Sequence, residues 1–362
     1  MDKQQEILVR LVRLGIDKEM SGRNTLGHKV SQADWGNLYA LASRHGLTAI
    51  VMDGMDKLPE ADRPPQSITL QWIGDVLQNY ETRYTDYRKR IGELAGFYQQ
   101  HGYKLMVLKG FGLSLNYPKP QHRPCGDIDI FAFGDYKKAD AALNTELGIA
   151  IDRGHHHHTV FNWKGYAVEN HYDFVNVHYG HGNAELERIF KELAQDDSNA
   201  VEIDGQKVYL PSANLHALFL LRHCMQDFAS AEMNLRQVLD WGLFVERLTD
   251  KIDWAWLEHV LEKFKMTDFA NCMNSICVGE LGFEPSIFQK VQFNPFLKDR
   301  VLQEILEPSF KREEPRGLFP RLAYKYRRWQ GNAWKQELCY QDSRCKSFWN
   351  GVWSHLLKPR SI

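Results

Sequence analysis

The sequence predicts an α+β fold: a strand-bearing centre flanked by helical regions on both sides. Three observations carry this reading. Apolar residues recur at three- and four-residue steps from Lys3 to His101 and again from Ser212 to about Gly282, the period of amphipathic helices. Between them, Lys104 to Phe133 (KLMVLKGFGLSLNYPKPQHRPCGDIDIFAF) reads as strand, turn, short helix, loop and strand. Beyond it, Lys164-Gly165 and Asp204-Gly205 each join two short runs of β-forming residues, a hairpin signal.

Taken in order, residues 1–102 form an N-terminal helical region. Ile7, Leu8, Leu11 and Val12 make one stripe; Trp35, Leu38 and Leu41 make another, capped by Ser31 or Asp34. After the polar break LPEADRPPQS, a long helix carries Leu70, Ile73, Leu77, Tyr80, Tyr84, Tyr87, Ile91, Leu94 and Phe97 as a core-facing stripe, and Gly102 ends it. Residues 103–211 form the α/β core. Within it, strands are expected at 105–108, around Asp127 and Asp129, at 159–163 and at 166–172, with a helix at 136–147. Residues 212–307 form a second helical domain. Residues 308–362 form a basic, aromatic-rich region with 12 Lys and Arg against 4 Asp and Glu. Such a composition can track a polynucleotide backbone and stack its bases, or simply form a solvated helix face with its aromatics turned inward.

At 362 residues the chain is long enough for two or three domains. With 45 Lys and Arg against 46 Asp and Glu it offers no broad electrostatic lure for nucleic acid. No apolar run reaches membrane-span length and the N-terminus does not read as a signal peptide, so the expectation is a cytoplasmic protein with no membrane partner. The cysteines Cys125, Cys224, Cys272, Cys277, Cys339 and Cys345 are scattered without a CxxC pair, which suits reduced structural thiols. Cys125 is close enough to Asp127 to be a candidate reactive thiol.

The central stretch carries the chemistry. Alternation along a strand puts Asp127 and Asp129 on one side and Ile128 and Ile130 on the other. Two adjacent carboxylates make a hard oxygen site of the kind Mg²⁺ prefers, and phosphoryl transfer needs such charge neutralisation. Gly110 and Gly112 after the first strand let backbone N–H groups approach an anion. A D-x-D pair alone is common at solvated strand ends; its combination with the Lys109-Gly110 turn and the short helix is the specific signal.

Those residues resemble a known family. VLKG at 107–110, NYP at 116–118, RPCGDIDIF at 123–131 and ENHY at 169–172 are similar to the motifs of the uncharacterised nucleotidyltransferase family of the DNA polymerase beta superfamily. The resemblance covers roughly residues 35–264. It implies a small mixed β-sheet nucleotidyltransferase core that binds a nucleoside triphosphate (NTP) with two Mg²⁺ ions and passes a nucleotidyl group to an acceptor hydroxyl. On that reading Asp127, Asp129 and Glu169 are the catalytic, metal-holding carboxylates. Gly110 and Gly126 abut the nucleotide, Lys109 contacts phosphate, and Arg123 is a second phosphate contact or an anchor for the Asp strand. The chain departs from the pattern at Phe111, where many superfamily members have Ser or Gly. It departs again at Asn170, an apolar position that needs a buried partner, unless the register shifts and Asp173 replaces Glu169.

The run His155 to His158, with His171, His178 and His181 nearby, could gather a transition metal, although no spaced zinc signature is present. The simpler use is His158 and His171 lining the nucleotide cleft. His223 reads as a core or interface histidine. The leading function is therefore Mg²⁺-dependent nucleotidyl transfer to an acceptor that is RNA, a protein or a small molecule. Two alternatives stand beside it: a catalytically inactive nucleotide-binding or regulatory protein of the same fold, and a metal-dependent phosphohydrolase using the histidines.

Overall fold

The computed structural model describes the chain except residues 18–29, 31–32, 178–181, 231–232, 290–293, 311–314, 316 and 341–362. About half of the basic tail, Cys345, Ser31, His178 and His181 thus lie outside the described residues. Six strands form one mixed sheet: β1 (Met106–Val107), β2 (Ile128–Phe131), β3 (His158–Trp163), β4 (Tyr166–His171), β5 (Ala200–Ile203) and β6 (Gln206–Tyr209), in the order β3-β4-β2-β1-β6-β5. β2 runs parallel to β4 and antiparallel to β1; β1 runs parallel to β6. The two outer pairs are the expected hairpins, and both central turn residues of each have positive φ (Lys164 49°, Gly165 99°; Asp204 51°, Gly205 80°), the geometry that matches strand twist.

Helices flank this sheet in the expected α+β arrangement. Before β1 come α1 (Lys3–Ile16), α2 (Trp35–Arg44), α3 (Thr48–Asp56), α4 (Gln66–Asp75) and α5 (Arg83–Gln100). Asp34 caps α2 by accepting from the Asn37 N–H at 3.1 Å. Within the core are α6 (Gly110–Ser114), α7 (Tyr136–Leu147) and α8 (Asn183–Leu193). After β6 come α9 (Ala213–Ser230), α10 (Leu235–Leu248), α11 (Trp254–Lys263), α12 (Thr267–Gly279), α13 (Pro295–Leu306), α14 (Leu318–Gly331) and α15 (Ala333–Tyr340).

One expected stripe is corrected. A π-helical segment, Val76–Thr82, joins α4 to α5, and its wider turn rotates the apolar face. Trp72 and Val76 are buried in place of Leu70, Ile73 and Leu77, which are exposed, while Tyr80 is buried as expected. Beyond that turn Tyr87, Ile91 and Leu94 face the core as expected.

The sheet has two different faces. Ile128, Ile130, Val168, Val107 and Phe161 pack with Tyr87, Ile91 and Leu94 of α5 and Ala139 and Leu143 of α7. Met106, Phe131 and Tyr209 on the opposite face join a larger core shared by α1–α3, α8 and α9–α13. Alternation therefore turns Asp129, Glu169 and His171 towards α8 and α9. Among the described residues no helix is long and apolar enough to cross a membrane.

Candidate active site

Register places the acidic pair. In the parallel β2–β4 ladder Asp129 lies directly opposite Glu169, and in the β3–β4 hairpin His171 lies opposite His158. Four polar side chains from three strands so share one patch of sheet, roofed by α9: the His171 ring lies 6.3 Å from that of Phe219. Lys109 enters from the end of β1. Its ammonium sits 2.8 Å from Asp129 Oδ1, and His171 Nε2 is 3.1 Å from the same oxygen and 3.6 Å from Glu169 Oε2. Asp129, Glu169 and His171 present ligand atoms within 4.8 Å of one another. Asp127, one residue ahead of β2, lies outside that triad, exposed at the mouth.

Charge is tightly coupled here. Burial alone would raise the Asp129 carboxyl, but Lys109 and His171 outweigh it and hold it well below the usual carboxylate range. Burial likewise opposes the charged forms of Lys109 and His171. The carboxylates nonetheless keep Lys109 strongly cationic and lift His171 to about 9. Asp127 is pushed up, first by the Asp129 charge and then by burial. Asp129 Oδ1 already gathers two of the protein's own cations, and Asp129 and Glu169 supply hard oxygen donors, so the donor set suits a divalent ion such as Mg²⁺.

The glycine turn is built for close approach. Gly110 has φ +36°, and a Cβ there would lie 2.2 Å from Tyr87 Oη, which donates to the Asp127 carbonyl at 2.9 Å. Gly126 is exposed beside Asp127, with open space where a Cβ would project. Phe111 turns away from the site into the core between α5 and the sheet.

Arg123 is buried and fully engaged. Its Nε and Nη2 donate to Asp240 Oδ1 and Oδ2 of α10 at 2.8 and 3.0 Å, and Nη1 donates to the Gly110 and Pro124 carbonyls at 3.2 and 3.3 Å. Tyr117 Oη and Arg236 also donate to Asp240, both at 2.8 Å. Asn170 has its buried partner: Nδ2 donates to Asp140 Oδ1 of α7 at 2.9 Å, and Thr159 donates to the other oxygen at 2.9 Å. Asp173 instead faces Lys191 at 3.3 Å, so Glu169 is the carboxylate beside Asp129. Burial pushes the Cys125 thiol up to about 11, which keeps it protonated at neutral pH. Cys224, Cys272, Cys277 and Cys339 are also free thiols.

Sequence reasoning named His157 only within the run His155 to His158, did not single out Asp227, and read His223 as structural. His223 Nε2 lies 3.5 Å from Lys109 Nζ and 3.3 Å from Asp227 Oδ2, so an i,i+4 His–Asp pair on α9 backs the lysine. That spacing was visible in the sequence; its aim at Lys109 was not.

A family model described as "Uncharacterised nucleotidyltransferase" matches residues 31–278. No curated protein matches the chain. Among solved structures, an antigenic nucleotidyltransferase-like protein from Paracoccidioides brasiliensis is similar at 13% identity and a TM-score of 0.34, over 56% of this chain and 96% of that one.

Proposed function

Because the chain belongs to the family of uncharacterised nucleotidyltransferases, we propose that it transfers a nucleotidyl group from an NTP to an acceptor, with Asp127, Asp129 and Glu169 as the metal-holding carboxylates. The observation that supports this most is the pairing of Asp129 with Glu169 across β2 and β4, with Asp127 at the mouth beside the glycine turn. In this reading Mg²⁺, when bound, neutralises the triphosphate and stabilises the attacking and leaving oxygens. Lys109 now neutralises Asp129, and on NTP binding it turns to the phosphates, which meet the backbone N–H groups of the Gly110 turn and the open side of Gly126. His158 and His171 line the nucleotide cleft. The acceptor hydroxyl attacks the α-phosphorus, the bond to the β-phosphate oxygen breaks, and pyrophosphate leaves. Glu169 receives the hydroxyl proton at the sheet surface. Arg123 holds the Asp strand to α10 through Asp240 rather than touching phosphate. The acceptor, whether RNA, protein or small molecule, meets the exposed Asp127 side of the cleft.

Isothermal titration of each NTP with and without Mg²⁺ tests this. The expected result is binding that requires the metal and disappears in Asp127→Ala/Asp129→Ala. Metal-independent NTP binding that survives in the variant would instead support a catalytically inactive nucleotide-binding protein.

A further inference from the structure

The proposed chemistry leaves His157 without a role and gives His158 and His171 only the lining of the cleft, and the geometry points to a transition-metal site formed by His157, His158 and His171, with Glu169 as an adjoining oxygen ligand. The three histidines offer ligand nitrogens within 4.8 Å of one another. Their rings converge: His157 and His158 are perpendicular with centroids 4.4 Å apart, and both lie within 5.7 Å of His171. His158 is only 7% exposed, yet its Nδ1 is buried without a hydrogen-bond partner, and so is His157 Nδ1. A buried ring nitrogen normally finds a donor or acceptor, so two orphans side by side mark a place where a ligand is missing.

The surroundings fix the lone pairs. His171 Nδ1 faces the Asp173 carbonyl at 3.3 Å, which holds a proton there, so Nε2, now 3.1 Å from Asp129 Oδ1, is the atom that coordinates once the incoming metal displaces its proton, a common outer-shell arrangement for metal-bound histidine. His157 is anchored by its own carbonyl, which accepts from the Tyr172 and Asp173 N–H groups at 3.0 Å each. Glu169 Oε2 lies 3.8 Å from His158 Nδ1 and 3.6 Å from His171 Nε2. Four donors at zinc distances of about 2.0–2.1 Å in a tetrahedron sit about 3.4 Å apart, so the two Glu169 spacings need only a small contraction, while the histidine nitrogens, within 4.8 Å of one another, draw in by up to about 1.4 Å. Nitrogen-rich donors select Zn²⁺ or Co²⁺ over Mg²⁺; Glu169 is shared with the Asp127–Asp129 pair, so the three histidines are what distinguish this site.

The experiment titrates Co²⁺ into the metal-stripped full chain and reads visible d–d absorption, with Zn²⁺ as competitor. The expected result is one tight equivalent, displaced by Zn²⁺, whose affinity falls at least tenfold in His157→Gln and in His158→Gln. It is unchanged in His155→Gln/His156→Gln and in Asp127→Asn. His157 sits in a partly exposed loop, so its variant serves if His158→Gln does not fold. Absence of a stoichiometric Co²⁺ signal in the native chain would overturn the inference, as would binding that follows His155 and His156 instead. Asp127→Asn keeps the two sites apart: it removes Mg²⁺-dependent NTP binding if the transferase proposal holds, while Co²⁺ absorption stays.

Discussion

Substituting Asp240 decides whether Arg123 is an anchor or a phosphate contact. In Asp240→Leu the Arg123 guanidinium, 6% exposed, keeps only the Gly110 and Pro124 carbonyls at 3.2 and 3.3 Å. Breaking one partner out of a buried ion pair costs about 3–5 kcal/mol because the other charge is left uncompensated. Arg236 is more exposed, so losing its contact to Asp240 adds under about 1 kcal/mol. Tyr117 Oη loses its acceptor as well, so the upper part of the range, about 4–5 kcal/mol, is expected. In Arg123→Met, Asp240 retains Arg236 and Tyr117, and the loss is nearer 3 kcal/mol, about the lower bound for such pairs. The double variant Arg123→Met/Asp240→Leu strands neither charge and falls short of the summed losses by about 1–3 kcal/mol, the coupling expected of contacting residues. Urea unfolding of the four proteins measures the cycle, and NTP titration of Arg123→Met runs beside it. Additive losses below about 1 kcal/mol each, together with a tenfold fall in NTP affinity, would refute the anchor and restore the phosphate contact.

Two further outcomes follow from the same packing. Gly110→Ala drives a Cβ into Tyr87 Oη at 2.2 Å from a backbone of φ +36°, costing about 1–3 kcal/mol from overpacking; adding Tyr87→Phe should recover part of it in urea unfolding, and no recovery would place the damage elsewhere. His122 is buried with Nδ1 2.6 Å from Asp53 and Nε2 3.0 Å from Glu81; burial opposes its charge, but the two carboxylates win and raise its pKa. A raised folded-state value means this stabilisation is complete below the unfolded histidine value of about 6.5 and is lost as pH rises through the folded one. The native chain should therefore lose more stability between pH 6 and pH 9 than His122→Gln does, with His171 and His101 contributing the same sign in both. Equal pH slopes for the two proteins would remove His122 from this account.

Much of the fold was legible because local chemistry dictated it. Lys164-Gly165 and Asp204-Gly205 can turn a chain in few ways, and α7 runs from Tyr136 to a left-handed Gly148 as its apolar spacing requires. The alternation of Asp129 with Ile128 and Ile130 set which side of β2 is charged. What was illegible depended on distant partners or on a shifted period. Leu70, Ile73 and Leu77 fit a helical stripe, but the π segment after Asp75 rotates the buried face, and nothing in an apolar count reveals that turn. Asn170 looked like a misplaced polar residue until α7 supplied Asp140. Arg123 lies far in sequence from Asp240, so their pairing is a property of topology rather than of any motif.

The most direct test of the central claim is a crystal of the chain grown with Mn²⁺ and a non-hydrolysable NTP, read by anomalous scattering at the manganese edge. The account predicts a manganese peak among Asp127, Asp129 and Glu169, with Lys109 Nζ withdrawn from Asp129 towards the triphosphate. A nucleotide bound elsewhere, or carboxylates still held by Lys109 and His171 with no metal between them, would contradict it.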